Sequence, residues 1–135
     1  MIKVREIDHI VLRIIDLDKM LVFYCDVLGC TVEREQEALG LIQLRAGRSF
    51  IDFVTLEGQL GREGGAAPGI EGKNMDHFCL RIDPFDGDAV LNYLASKDIP
   101  VIGDISSRFG AEGEGPSIYI KDPEGNTVEL KGAPW

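Results

Sequence analysis

The stretch DHIVLRI at residues 8–14 returns as DHFCLRI at residues 76–82, and this repeat decides the fold. The two copies share Asp, His, Leu, Arg and Ile in the same order. Sequence that repeats itself at a fixed spacing is typical of a chain built from structural copies. We therefore predict two copies of one unit, each of which opens with a β-strand.

Each of these strands is followed by a predicted helix. Asp16 is placed to cap a helix in LDKMLVFYCDVLG, and Gly29 suits the position just past its end. Asp86 caps GDAVLNYLASK in the same way, and Pro100 ensures that this helix has ended. Strand-forming sequence follows, near 31–36, 40–46 and 49–56 in the first half and near 100–104, 117–122 and 126–131 in the second. The pattern predicts a β-α-β-β-β unit twice over, with DPEGN as a tight turn before the last strand.

Two glycine-rich stretches interrupt the pattern. The first, at residues 58–74, is interpreted as a linker between a module at about 5–57 and a module at about 75–132. Both modules fall within one predicted domain, residues 1–135. The second stretch, at residues 106–116, is expected to be either a flexible lid beside an active site or a plain surface connector.

Composition excludes several classes of function. The phosphates of nucleic acids bind basic surfaces, whereas this chain has a formal charge of −9. No nucleic-acid partner is therefore expected. No apolar run is long enough to span a membrane, and the N-terminal residues lack the apolar core of a signal peptide. The three cysteines lie in apolar segments and are interpreted as reduced core residues. We therefore expect a cytoplasmic location.

The chain has only two histidines, His9 and His77, and they occupy equivalent places in the repeat. A lone histidine is more often a satisfied core residue than a ligand. Two histidines related by a repeat favour metal binding, because imidazole is the commonest protein ligand for such ions. We therefore interpret both as candidate metal ligands.

Carboxylates appear late in each unit, with Asp52 in FIDFV and Glu129 in NTVELK. Side chains alternate along a strand, so each carboxylate points away from its apolar neighbours, towards water, a partner or a metal. The predicted metal ligands are therefore His9, Asp52, His77 and Glu129. Two imidazoles with one or two carboxylates suit one divalent ion (Zn, Ni, Mn, Fe or Co) and leave positions open for substrate oxygens.

Four other polar residues share the predicted ligand face or lie beside it. Arg13 and Arg81 are candidates for holding a substrate carboxylate or phosphonate, with solvent-facing strand ends as the alternative. Ser117 and Tyr119 are candidate hydroxyl donors in the pocket, with ordinary strand-forming residues as the alternative.

The whole chain, from IDHIVLRIIDLDKMLVFYCDVLG to IYIKDPEGNTVELKG, resembles the vicinal oxygen chelate superfamily, and its register is most similar to glyoxalase I-like proteins. The resemblance implies an α+β fold in which two βαβββ modules form a cupped, mostly antiparallel sheet around a metal site. It also implies a homodimer. By position His9, His77 and Glu129 match family ligands, whereas Asp52 stands where glyoxalase-like members have Glu or Gln. Since Asp is one methylene shorter, Asp52 either ligates directly, ligates through a water, or does not ligate.

The resemblance predicts a metal-dependent lyase or isomerase of the glyoxalase type. Its substrate would be a small molecule, such as a thiol adduct, that chelates the ion through adjacent oxygens and passes through an enediolate. Glu129 is the candidate base as well as a ligand, and Asp52 is the alternative base. Three other functions stay open: a fosfomycin-resistance-type thiol transferase or epoxide hydrolase, an extradiol-type dioxygenase, and a non-catalytic drug- or metabolite-binding module.

Overall fold

The computed structural model describes all residues from 1 to 135, and the chain divides into two compact units, Met1–Asn74 and Met75–Trp135. The first unit contains strands β1 (His9–Ile14), β2 (Thr31–Gln36), β3 (Leu41–Ala46) and β4 (Ser49–Thr55), with helices α1 (Leu17–Leu21) and α2 (Gln59–Arg62). The second contains β5 (Phe78–Arg81), α3 (Gly87–Ser96), β6 (Val101–Gly110), β7 (Gly113–Lys121) and β8 (Thr127–Lys131). No helix is long and apolar enough to cross a membrane.

Both units have the same sheet topology. The strand order is β1-β4-β3-β2 in the first unit and β5-β8-β7-β6 in the second. In each sheet the opening strand pairs parallel with the last strand, and the other pairings are antiparallel. The predicted α+β class and the repeated module are confirmed.

The predicted caps hold the helices in place. The side chain of Asp16 accepts a hydrogen bond from the backbone of Lys19, and that of Asp86 accepts one from the backbone of Ala89, each at 3.1 Å. The first helix continues as a π-helical segment, Val22–Val27, after α1. This segment buries Phe23 as well as Tyr24, whose ring packs edge-on against Phe53 in the core of the first unit.

A tight turn sets the register of the last strand. The carboxylate of Asp122 accepts hydrogen bonds from the backbone of Glu124 and of Asn126, and Gly125 takes a positive φ of 86°. Only glycine adopts this conformation without steric cost. The turn therefore fixes β8 against β7, which places Glu129 opposite Tyr119.

The expectation of a lid or connector at residues 106–116 was wrong. These residues belong to β6 and β7, which form a hairpin whose turn is Ala111 and Glu112. Glycine is needed here for close approach: a Cβ on Gly115 would lie 2.6 Å from the carbonyl oxygen of Ala133. The glycine content therefore reflects tight packing.

The glycine-rich segment at residues 58–74 contains α2 and packs within the first unit. The guanidinium of Arg13 donates hydrogen bonds to the carbonyl oxygens of Gly61, Gly65 and Ala66. The side chain of Asn74 bonds to both the backbone N–H and the carbonyl of Arg13. These contacts order the segment around one arginine.

Candidate functional site

The sheet register places the two predicted carboxylates at equivalent positions. Asp52 on β4 lies opposite Val11, two residues after His9, and Glu129 on β8 lies opposite Cys79, two residues after His77. His9 and Asp52 are therefore on adjacent strands, and His77 directly precedes the strand that lies beside that of Glu129. The repeat seen in the sequence extends to the positions of its chemistry-bearing residues.

Each histidine ring is oriented by the aspartate that precedes it. His9 Nδ1 lies 2.8 Å from a carboxylate oxygen of Asp8, and His77 Nδ1 lies 2.6 Å from one of Asp76. Because an ionised carboxylate only accepts, Nδ1 is the donor in each pair, which leaves Nε2 as the nitrogen that could bind a metal. A histidine held in this way by a carboxylate is the arrangement that proteins use for metal ligands.

Glu129 is buried, with 6% of its surface exposed, and is held by its neighbours. The hydroxyl of Ser117 donates to Oε2 at 2.6 Å, and Oε1 lies 3.3 Å from His77 Nε2. Burial alone raises the pKa of Glu129, but hydrogen bonds from Ser117 and Tyr119, the charge of His77 and a hydrogen bond from Cys79 outweigh it and lower the pKa. Glu129 is therefore a carboxylate at neutral pH, as a metal ligand must be.

Asp52 is buried as deeply, with 3% of its surface exposed, but has fewer partners. The side-chain amide of Gln43 donates to Oδ2 at 3.2 Å, whereas Oδ1 is buried without a hydrogen bond. A buried carboxylate oxygen that lacks a donor is costly, and a cation would offset that cost. Asp52 therefore has one oxygen free for an ion.

A cavity of about 350 Å³ opens beside His77 and Glu129 in the second unit. Its other polar lining residues are Cys79, Arg81, Glu112 and Lys131, and the tip of the β6–β7 hairpin forms a further wall. The expectation that Cys79 is a core residue was wrong, because this residue is exposed. Desolvation of its sulfur, followed by the charge and hydrogen bond of Glu129, raises the pKa of the Cys79 thiol to about 12. Cys79 is therefore a neutral donor to Glu129.

The structure gives each predicted substrate-binding residue a contact within the protein. Arg13 donates to the carbonyls of the glycine-rich segment, and Arg81 pairs with Glu112 at 2.7 Å while it lines the cavity. Ser117 and Tyr119 both donate to Glu129, and the Tyr119 ring packs edge-on against His77. A contact of any of the four with substrate stays a prediction.

The donor types of these residues fit a divalent metal ion, although neither unit by itself groups three of them. No three His, Cys, Asp or Glu side chains are grouped to hold an ion together. His77 and Glu129 supply one nitrogen and one oxygen at contact distance, which suits borderline divalent metals. The four-residue ligand set stays a prediction from the sequence.

Several residues of the site were missed in the sequence. Asp8 and Asp76 are part of the repeated Asp-His pair, so the signal was present in the repeat. Lys131 follows Glu129 by two residues, and strand alternation places both on one face. Cys79 follows His77 by two residues, so strand alternation was a signal for it as well. Gln43 had no recognisable signal, because its contact with Asp52 depends on the cross-strand register.

The fold and the arrangement of the candidate site indicate a class of protein, and comparison with known proteins identifies that class. Residues 6–130 match the model of the Glyoxalase/Bleomycin resistance protein/Dioxygenase superfamily, and the chain belongs to this superfamily. Members of the superfamily often bind a divalent metal.

Two relatives share 30% identity with the chain. One is a glyoxalase domain-containing protein of Mycosarcoma maydis, matched over 96% of this chain and 69% of the relative. The other is a virulence protein of Salmonella typhimurium, matched over 92% and 81%.

Solved structures show the same fold. The crystal structure of the Salmonella typhimurium virulence protein superposes with a TM-score of 0.79 at 26% identity, over 98% of this chain and 99% of that one. A lactoylglutathione lyase from Agrobacterium tumefaciens superposes with a TM-score of 0.66 at 24% identity, over 94% and 92%. At that identity the likeness to the lyase is one of fold.

Proposed function

We propose that this chain is a metal-dependent enzyme of the glyoxalase type, a lyase or isomerase whose small substrate presents two adjacent oxygens. The observation that supports this proposal is the 3.3 Å approach of His77 Nε2 to Glu129 Oε1 beside a cavity. A ligand pair with cavity space next to it is what a catalytic metal site needs, whereas a structural site is closed.

His77 and Glu129 would hold the ion in this proposal. A divalent ion bound there would polarise substrate oxygens and stabilise the negative charge that develops when a neighbouring proton leaves. The protein's part is to keep the ligands ready: Asp76 fixes the ring of His77, and Ser117 fixes Oε2 of Glu129. Residues that orient ligands in this way raise metal affinity without touching the ion.

The ligand role suits Glu129 better than the role of base. Its lowered pKa keeps it ionised but makes it a weaker acceptor of protons. The roles of Glu129 and Asp52 as catalytic bases stay predictions, as do the participation of His9, the homodimer and the cytoplasmic location. The proposal does not depend on them.

A turnover assay tests the proposal. Protein loaded in turn with Zn, Ni, Mn, Co and Fe is given the hemithioacetal that a 2-oxoaldehyde forms with glutathione. We expect Glu129→Gln to reduce turnover by at least about 100-fold, because loss of a ligand alters charge stabilisation at the reacting atoms. Glu35→Gln is the matched control, since Glu35 is an exposed carboxylate on β2. Equal turnover in wild type and Glu129→Gln would contradict the proposal.

A further inference from the structure

Lys131 is a cation for which the fold provides no partner. The residue is 6% exposed, and its Nζ atom is buried without a hydrogen bond. Lysine is almost never fully buried unless it is paired, because removing an ammonium from water is costly. A buried ammonium without a hydrogen-bond partner is therefore a candidate functional group.

The environment of Lys131 connects it to the candidate site. Lys131 and Glu129 are two residues apart on β8, so their side chains leave the strand on the same face. Both line the cavity that also contains His77. Lys131 is thus within the same recess as the proposed metal ligands.

Two glycines of the hairpin make room for the lysine side chain. A Cβ on Gly110 would lie 2.7 Å from Lys131 Cε, and a Cβ on Gly115 would lie 2.9 Å from Nζ. The side chain therefore runs directly beneath the backbone of β6 and β7, where these two positions have no side chain to meet it. Because its ammonium makes no hydrogen bond in the protein, Lys131 loses none when a ligand in the cavity attracts it.

Among the charged residues around the cavity, Lys131 differs in having no hydrogen-bond or ion-pair partner. Arg81 is neutralised by Glu112, with 2.7 Å between Nε and Oε1. Glu129 accepts from Ser117, Tyr119 and Cys79 and contacts His77. Lys131 is thus the charged residue of the cavity lining whose terminal atom has neither a hydrogen bond nor an ion pair, and an oxyanion would supply both.

We infer that Lys131 is an oxyanion-binding residue, which selects small substrates that have a carboxylate or phosphate group. This inference rests on the proposed function, because it gives the substrate class of the same site. The oxyanion would bind at Lys131 and place the rest of the molecule beside His77 and Glu129. Neutral substrates of equal size would leave the ammonium unpaired and be rejected.

Binding of small probes to metal-free, ¹⁵N-labelled protein tests the inference. Acetate, inorganic phosphate and the neutral isostere acetamide are titrated at constant ionic strength, and the amide shifts of Gly110, Ala111 and Gly132 are followed by NMR. We expect saturable shifts with acetate or phosphate and none with acetamide. The two anions distinguish a carboxylic acid from a phosphate ester as the natural ligand.

Charge variants of Lys131 complete the test. Lys131→Met should weaken the binding of the better anion at least about tenfold, because a charge-assisted hydrogen bond is lost. Lys131→Arg keeps the charge and should retain binding. Lys121→Met is the matched control, because Lys121 is an exposed lysine on β7, and it should change the affinity less than about twofold.

The inference fails if neither anion shifts the cavity amides, or if Lys131→Met binds as wild type does. The comparison of acetate with acetamide needs only the wild-type protein. It therefore tests whether the cavity binds an anion even if a variant does not fold. Metal content is measured on the same proteins. Metal retention without anion binding refutes the oxyanion role alone, and anion binding without metal retention refutes the proposed metal centre alone.

Discussion

In the first unit the carboxylate of Asp52 has one hydrogen-bond donor, Gln43, whereas in the second unit that of Glu129 has Ser117, Tyr119 and Cys79. Both carboxylates are buried, and both occupy the same place in sheets of the same topology. The backbone repeat is therefore conserved between the units, while the polar surroundings are not. The second unit therefore holds its carboxylate in place with three donors, whereas the first leaves one carboxylate oxygen without a hydrogen bond.

The largest expected effect comes from removing a proposed ligand. His77→Ala should reduce metal affinity by more than about 100-fold. Mutation of a residue that only orients a ligand already reduces metal affinity about ten- to 100-fold. Isothermal titration with Zn or Ni measures this. His9→Ala sharpens the comparison: an equal loss would support a ligand set from both units, and no loss would confine the ion to the second. Full affinity in His77→Ala would contradict the account.

A smaller effect is expected from the aspartates that orient the histidines. Asp76→Asn should weaken metal binding by about tenfold, because the amide no longer fixes the proton on Nδ1 of His77. Asp8→Asn is the counterpart in the first unit, where the Asp8 carboxylate lies 2.8 Å from His9 Nδ1. The same titration measures the metal affinity of both variants. An unchanged affinity in Asp76→Asn would show that Asp76 does not orient His77 for metal binding.

The two carboxylates should differ in the sign of their effect on stability in metal-free protein. Glu129→Gln should lower the free energy of unfolding by about 1–2 kcal/mol, because charge-assisted hydrogen bonds are lost. Asp52→Asn should raise it by about 0.5–1 kcal/mol, because a buried charge with an unpaired oxygen is removed. Urea denaturation measures both free energies of unfolding, and changes of the same sign would show that the two carboxylates do not differ in how well they are paired.

The effect of Glu129→Gln should depend on pH. Burial acts to raise the pKa of Glu129, but its donors and His77 lower it below its ordinary value. Its stabilising contribution is therefore present above the unfolded pKa of about 4.3 and is lost as the pH falls through the lower folded value. The stability gap between wild type and Glu129→Gln should close in acid, and a constant gap would contradict this origin.

The smallest expected effect concerns two thiols. Burial raises the pKa of Cys30 to about 11, and desolvation of the sulfur with the charge of Glu129 raises that of the exposed Cys79 to about 12. Because little thiolate is then present, both thiols should react slowly with a disulfide reagent at neutral pH. Glu129→Gln should increase the reaction rate of Cys79 several-fold and leave that of Cys30 unchanged. Mass spectrometry of the modified peptides separates the two, and equal changes would refute the contact between Cys79 and Glu129.

Much of the fold could be predicted from local signals. The repeated Asp-His strands, the caps at Asp16 and Asp86, and the turn at residues 122–126 each depend on residues close in sequence. The hairpin of β6 and β7 could not be predicted in this way. Its glycines are required by backbone contacts with residues such as Ala133, which only the tertiary structure brings near.

The residues of the candidate site could be predicted where they are part of the sequence repeat, and not elsewhere. His77 and Glu129 were found because each has a counterpart in the other half. Lys131 has none, and a lysine near the end of a chain usually faces solvent. The anion-binding role that we propose for this lysine has no signal in the repeat, and the roles of Arg13 and Arg81 in binding substrate stay predictions.

Elemental analysis of the untagged protein, purified without chelators, tests the proposed metal site at His77 and Glu129. We expect one divalent ion per chain in wild type and loss of that ion in His77→Ala. If wild type binds no metal even after reconstitution with Zn, Ni, Mn, Co and Fe, the account is contradicted, and the chain is a binding module of its superfamily.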